Sequence, residues 1–266
     1  MCTALILNRV GPDHAVVVAA NRDEFLARPA VGPVQLLDQP RAIGGRDQER
    51  GGSWLGVTEA GFIALLTNQP EPAGPRAAAR TRGEIVLDVL RCGESAAARA
   101  YLDHLNASAY NSFNLLFGDA GGLEIAYGRA DSSAIEREPV AAGLHILPNG
   151  RLDEPGHRKV ARARALVEPH LGERWPELAG HLAAALGDHE RPALEDLPEI
   201  EPGARFPREL VRELHAICIH TPTYATRSAA IIALDPGRLS HLSWAPGPPC
   251  TTPFTPANLS RVFTLS

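Results

Sequence analysis

Lysine is almost missing from this sequence. Lys159 is the only one, and arginine supplies the rest of the 26 basic residues. Against them stand 31 acidic residues, giving a formal net charge of −5 that is spread along the chain. That balance argues against nucleic acid or an anionic membrane as the main partner, because both recruit clustered basic side chains. The arginine bias and abundant alanine match GC-rich coding and point to a bacterial source. Long apolar runs are missing too: nothing approaches the roughly 20 apolar residues of a membrane-spanning helix. The N-terminus has neither the basic start nor the apolar stretch of a secretion signal, and with only Met1 ahead of Cys2 no lipoprotein anchor is expected. Cysteine is scarce. Cys2, Cys92, Cys218 and Cys250 show no CxxC pair and no regular spacing. They are expected as reduced thiols of a cytoplasmic protein, not as a disulfide framework or a zinc site. There is no GxGxxG after the first apolar run, no G-x-S-x-G elbow, no CxxCH and no internal repeat.

The 266 residues, 44% hydrophobic and 21% charged, suit one globular domain over 1–266. Short apolar runs predict strands at Thr3 to Asn8 and Ala15 to Asn21, then at Ser53 to Val57 and Phe62 to Asn68. The Gly/Pro-rich stretch Pro29 to Gly52 between these pairs reads as a loop. Thr81 to Glu84 fits a capping box ahead of a helix carrying Ile85, Val86, Val89 and Leu90 and ended by Gly93. A second helix is expected from Ser95 to Leu105. Strands return at Phe113 to Phe117, Leu123 to Tyr127 and Leu144 to Leu147, and helices at Arg158 to Leu171 and Leu178 to Leu186. Pro192 to Pro207 reads as a surface loop. The closing strands are Ala216 to His220, Ser228 to Leu234 and Leu239 to Trp244. This order predicts a layered α+β domain with helices covering sheets.

Chemistry starts at Cys2. Cysteine is small enough for the initiator Met1 to be trimmed, and trimming leaves a thiol and a free α-amine on one residue. The amine, with a pKa of about 7.7 to 8.0, can serve as base to a thiol of about 8.5. A small buried cysteine at a strand start reads the same way in isolation. Asn21-Arg22-Asp23-Glu24 ends the second strand, where a hairpin returns it beside Cys2. There Asp23 can hold an amine and Arg22 can favour a thiolate, although a solvated charge cluster is the plainer alternative. Asn68 and Asn149 each end an apolar run, where a fixed carboxamide can donate to an oxyanion or simply shape a turn. Arg227 precedes the late strand from Ser228 and can reach the same cleft or stay at the surface. His215, Cys218 and His220 lack a second ligand pair at zinc spacing and read as core and strand-end residues.

Together these pieces resemble a known family. Met1-Cys2-Thr3, Ala20-Asn21-Arg22-Asp23-Glu24-Phe25 with Arg28-Pro29, Gly51-Gly52-Ser53-Trp54-Leu55-Gly56, Leu66-Thr67-Asn68 and Thr226-Arg227-Ser228 look like the NRDE family, also called Transport and Golgi Organisation 2. The resemblance covers residues 1 to about 235. That family is similar in turn to cysteine N-terminal-nucleophile (Ntn) hydrolases such as bile salt hydrolases and penicillin V acylases. The resemblance implies an αββα sandwich that cleaves non-peptide C–N amide bonds. By it Cys2 is the nucleophile, Asp23 the acidic partner of the α-amine, Asn68 and Asn149 the oxyanion-side asparagines, and Arg227 the late active-site arginine. The hydrolases carry a further arginine three residues before the aspartate, where this chain has Ala20. Arg22 would have to take its place from the opposite face of the strand.

The expected function is therefore cytoplasmic amide hydrolysis through a Cys2 acyl-enzyme, acting on a small-molecule amide with no metal and no organic cofactor. The alternatives are acyl transfer from the same intermediate, and non-catalytic binding or trafficking of haem or another hydrophobic ligand. Substrate identity and oligomeric state are not legible.

Overall fold

The computed structural model describes residues 2–71, 74–197, 206–259 and 263. The chain opens with β1 (Thr3–Asn8) and β2 (Val16–Phe25). It then runs through β3 (Ala30–Asp38), β4 (Arg41–Asp47), β5 (Ser53–Thr58) and β6 (Ile63–Asn68) to α1 (Gly83–Cys92) and α2 (Ser95–His104). β7 (Phe113–Asp119), β8 (Gly122–Gly128), β9 (Ile135–Pro139) and β10 (Gly143–Leu147) follow. The helices α3 (Arg158–Val167), α4 (Glu177–Leu186) and α5 (Arg208–Leu214) lead to β11 (Tyr224–Asp235), β12 (Arg238–Ala245) and β13 (Thr255–Pro256).

Two antiparallel sheets result. One is six-stranded in the order β10-β1-β2-β11-β12-β13, and the other is a seven-stranded meander from β3 to β9. β1 is buried along its whole length, which explains why it reads as a continuous apolar run. Ala4 and Ile6 face the second sheet, and Leu5 and Leu7 face the helices. The core between the sheets joins Val18, Ile232 and Leu147 of the first to Ile43, Leu65 and Ile125 of the second. α3 and α4 cover the outer side of the first sheet with Val160, Ala163, Leu178 and Leu182. α1 and α2 cover the second sheet, with Ile85, Val89 and Leu102 against Phe62, Leu115 and Phe117. Each fully buried aliphatic or aromatic side chain contributes about 1.5–3 kcal/mol of transfer free energy, so these three cores fix a four-layer αββα sandwich. No described helix is long and apolar enough to cross a membrane.

The structure departs from the sequence reading in several places. The expected loop Pro29 to Gly52 is mostly β3 and β4. Pro33 is tolerated because β3 is an edge strand whose pairing slips between Val31 and Val34. The glycines of β4 are there for close approach: a Cβ on Gly44 would lie 2.1 Å from the Leu55 carbonyl oxygen, and one on Gly45 2.1 Å from the Trp54 ring. The capping box does not form. Arg82 is the N-cap of α1 and makes no side-chain cap bond, while Glu84 pairs with Arg80 at 2.7 Å. The charged strand β9 and the helix α5 were not expected, since neither carries a strong apolar period. Ala216 to His220 is not a strand: apart from a single bridge between His220 and Ala225, its backbone bonds irregularly. Ile217 O accepts from Asn21, and Cys218 N–H donates to Asp188 O at 2.8 Å. In Pro192 to Pro207, residues 198–205 lie outside the described ones.

Gly44→Ala is expected to lower the unfolding free energy by about 1–3 kcal/mol in urea titrations, because the clash is with backbone. Gly122→Ala, whose Cβ would meet nothing within 4 Å, is the control and should stay within about 0.5 kcal/mol of the parent. Equal effects would refute the close-approach reading of β4.

Candidate active site

The site is built by strand register. β1 pairs with β2 so that Thr3 lies opposite Asn21, and β2 pairs with β11 so that Asp23 lies opposite Thr226. Cys2, one residue before β1, is thereby set beside Arg22 and Asp23. It is buried, with 9% of its surface exposed, and it opens onto a cleft of about 450 Å³. Arg22, Asp23, Asn68, Trp54 and Arg82 line the same cleft.

Side chains alternate along β2, and the Asn21-Arg22-Asp23-Glu24 segment uses both faces. Asn21 points to the helices, where its Nδ2 donates to Leu186 O at 2.9 Å and to Ile217 O at 3.0 Å. Arg22 points the other way and lies over the Trp54 ring, 4.3 Å from its centroid. Asp23 returns to the helix side. Its Oδ1 accepts from the Thr226 hydroxyl at 2.6 Å, and its backbone carbonyl accepts from the Tyr224 hydroxyl at 2.8 Å. Glu24 lies 3.9 Å from Arg22 and 3.3 Å from Arg28, whose other amino group meets Asp47 at 2.5 Å.

The remaining expected residues are placed differently. Asn68 lines the cleft at the end of β6. Asn149 does not line it; its Nδ2 donates to the Asn68 carbonyl and so supports that strand end from behind. Arg227 is also outside the cleft lining. It falls at an irregularity where β11 slips against β2 between Thr226 and Ser228, and it donates to the carbonyls of Phe25 and Leu26.

One residue the sequence reading passed over is Lys159. It is 2% exposed, on the face of α3 that also buries Val160, Ala163 and Val167, and its Nζ has no hydrogen-bond partner among the described residues. Its charge faces Asp23, then Cys2 and Cys218. The signal was available: the only lysine of the chain sits on an apolar helix stripe, where an ammonium is costly without a nearby opposite charge. Arg82 was passed over as well. It has no carboxylate within ion-pair distance among the described residues and donates to Ser112 O at 3.0 Å.

Electrostatically this is a buried cluster. Burial pushes the Cys2 thiol up and the Asp23 carboxylate pushes it further, while the Asp23 backbone N–H and Arg22 pull it down. Burial also raises the Asp23 carboxyl, opposed first by Lys159 and then by the Thr226 hydroxyl and Arg22. Lys159 is in turn lowered by burial and held up by Asp23. The arrangement can present a thiol to a ligand in the cleft, with a carboxylate behind it and cations on either side.

The model of the family described as Transport and Golgi organisation 2 matches residues 1–242. The chain belongs to that family. Among its relatives, the Bos taurus Transport and Golgi organization protein 2 homolog is 31% identical over 236 residues, covering 84% of this chain and 83% of the relative. The Homo sapiens homolog is 29% identical over 240 residues, with the same coverage of 84% and 83%. Solved structures share the fold at low identity. A Caenorhabditis elegans N-acylethanolamine-hydrolyzing acid amidase ortholog superposes with a TM-score of 0.52 at 12% identity, covering 89% of this chain and 93% of that one. A mutant conjugated bile acid hydrolase from Clostridium perfringens gives 0.50 at 11%, covering 98% and 93%. The chain therefore has the Ntn-hydrolase-like αββα fold.

Lys159 is the strongest opponent of the rise that burial imposes on the Asp23 carboxyl. In Lys159→Met the Asp23 carboxyl should titrate at higher pH than in the parent, because the nearest opposing charge is gone. Carboxyl ¹³C NMR, assigned by the resonance lost in Asp23→Asn, reads this. Arg227→Met should leave the midpoint where it is. An unmoved midpoint in Lys159→Met would remove Lys159 from the site.

Proposed function

We propose that this protein is an Ntn-type amidohydrolase that cleaves a non-peptide C–N amide bond through an acyl-enzyme on Cys2. The observation that carries the reading is that Cys2 and the buried Asp23, whose carboxylate accepts from the Thr226 hydroxyl, line one cleft. The curated relatives are named for transport and Golgi organisation, and the solved neighbours named as amide hydrolases are similar in fold.

In this reading Met1 is removed and Cys2 gains a free α-amine. The amine takes the thiol proton as sulfur attacks the substrate carbonyl carbon. The resulting tetrahedral oxyanion is stabilised by the Asn68 carboxamide and backbone N–H groups. The C–N bond breaks as the ammonium returns its proton to the leaving nitrogen. Water then attacks the thioester and releases the acid and the free thiol. Asp23 holds the ammonium form and its orientation. Lys159 acts as a positioning residue by opposing the rise that burial imposes on the Asp23 carboxyl. Asn149 positions Asn68 through the Asn68 carbonyl. Arg22 and Arg82 line the cleft, so a substrate carrying a negative group is favoured over a neutral one.

Three measurements test this. Intact mass should show a chain that begins at Cys2. A panel of amides and lactams should yield an adduct on Cys2, and Cys2→Ala should abolish both the adduct and turnover, a loss of at least about a thousandfold. Asn68→Ala should lower kcat by about 10²- to 10³-fold with the fold intact. Full turnover in Cys2→Ala, or Met1 retained in active protein, would overturn the proposal.

A further inference from the structure

On the far side of Asp23 from the cleft, three segments distant in sequence converge. They are the residues just after α4, the irregular stretch before β11, and the turn after β12. Each contributes a soft ligand: His189 from the first, Cys218 and His220 from the second, Cys250 from the third. Ligand atoms of all four lie within 4.8 Å of one another. Cys218 Sγ is 3.7 Å from Cys250 Sγ and 3.5 Å from His220 Nε2, and Cys250 Sγ is 3.3 Å from the same nitrogen. The His189 and His220 rings are 4.9 Å apart at their centroids.

These separations fit a specific geometry. A tetrahedral zinc ion with Zn–S of about 2.3 Å and Zn–N of about 2.0 Å requires S···S of about 3.8 Å and S···N of about 3.5 Å. A disulfide would need its sulfurs at about 2.05 Å, and both cysteines are free. The other His-rich cluster is different in kind. His170 and His181 each already meet an oxygen of Glu173, at 2.8 and 2.9 Å, so ion pairing accounts for that group. Here no carboxylate belongs to the set. Glu213, which lines the same depression, is taken by Arg191 at 2.6 Å.

We propose that His189, Cys218, His220 and Cys250 bind one Zn²⁺ in a closed, structural site. Two thiols lose their protons and two imidazoles bind neutral, so the occupied site carries no net charge and two protons are released to solvent. Soft sulfur and imidazole donors in a tetrahedral array select zinc over hard cations. All four positions are filled by protein, so the ion is a brace and takes no substrate. His189, His220 and Cys250 are exposed, which gives the ion a way in.

The brace acts on the catalytic carboxylate. Ile219 lies between the two ligands Cys218 and His220, and its N–H donates to the Thr226 hydroxyl at 2.9 Å. The Ile219 carbonyl accepts from Thr226 N–H at 2.9 Å, and the Thr226 hydroxyl donates to Asp23 at 2.6 Å. Fixing residues 218–220 therefore fixes the hydrogen bond that orients Asp23. The sequence hid this site because its ligands span positions 189 to 250 with no short-range CxxC or HxxxH pair. Cys218 and His220 were also expected on a regular strand, which the structure replaces with an irregular segment.

The test uses the full chain, reduced and stripped of metal by dialysis. Co²⁺ added alone should produce the thiolate-to-cobalt charge-transfer band and the visible bands of a tetrahedral site, saturating at equimolar metal. Zn²⁺ should displace the cobalt and raise the thermal midpoint. His189→Ala removes an exposed ligand with little risk to folding and should weaken zinc at least about tenfold, since even outer-shell changes cost that much. Cys250→Ser should reduce the charge-transfer band to about half of its intensity, because one of the two thiolates is gone. The proposal is overturned if the reduced, folded chain shows no cobalt–thiolate band. It is equally overturned if His189→Ala and Cys250→Ser bind zinc as tightly as the parent. Neither readout depends on turnover, so the outcome is independent of the proposed reaction.

Discussion

The architecture of the site rests on one constraint, the antiparallel ladder β1-β2-β11. Its register puts Thr3 opposite Asn21 and Thr226 opposite Asp23. Because side chains alternate, a slip of one residue would send Asp23 into the space between the sheets and Arg22 toward the helices. The register cannot slip cheaply. Ala4, Ile6, Val18 and Ile232 fill the core between the sheets, while Leu5, Leu7, Val17 and Ile231 fill the core under the helices. The two cores thus hold a carboxylate and a thiol in place without belonging to the site.

The same alternation explains the chemistry of residues 21–24. Asn21 ties the strand to the end of α4 and to Ile217, and Asp23 faces Lys159 and Thr226. Arg22 and Glu24 face the cleft side, among Trp54 and Arg28. Position 20, three residues before Asp23, is an alanine and carries no charge. Lys159 supplies positive charge on the Asp23 side from α3, and Arg22 supplies it on the Cys2 side from β2. Lys159 is the stronger of the two on Asp23, while Arg22 acts on both Cys2 and Asp23.

Much of this was legible from residues alone. The short, unbroken apolar runs point to β1, β2, β6, β7 and β11, because strands buried on both faces leave such a signature. The αββα class and the family followed from the residues around Cys2, Asp23 and Asn68. What stayed hidden depended on distant partners. β3 and β4 look like a loop until Trp54 and Leu55 are seen to demand glycines opposite them. The orientation of Arg227 depends on a slip in the pairing of β11 with β2, and Asn149 is visible as a support only once Asn68 is beside it. Lys159 was in plain view as a composition oddity. Its place beside the site required knowing that α3 turns it toward Asp23.

The account as a whole stands on a free amine at Cys2 facing Asp23, and the most direct check compares two forms of one chain. Protein that begins at Cys2 is set against protein in which Met1 is retained by inhibiting the aminopeptidase during expression. Both are mixed with a reactive lactam, and the rate of Cys2 acylation is followed by intact mass. The account predicts acylation at least about a hundredfold slower when Met1 remains, the loss expected on removing a general base. Equal rates in the two forms would contradict it.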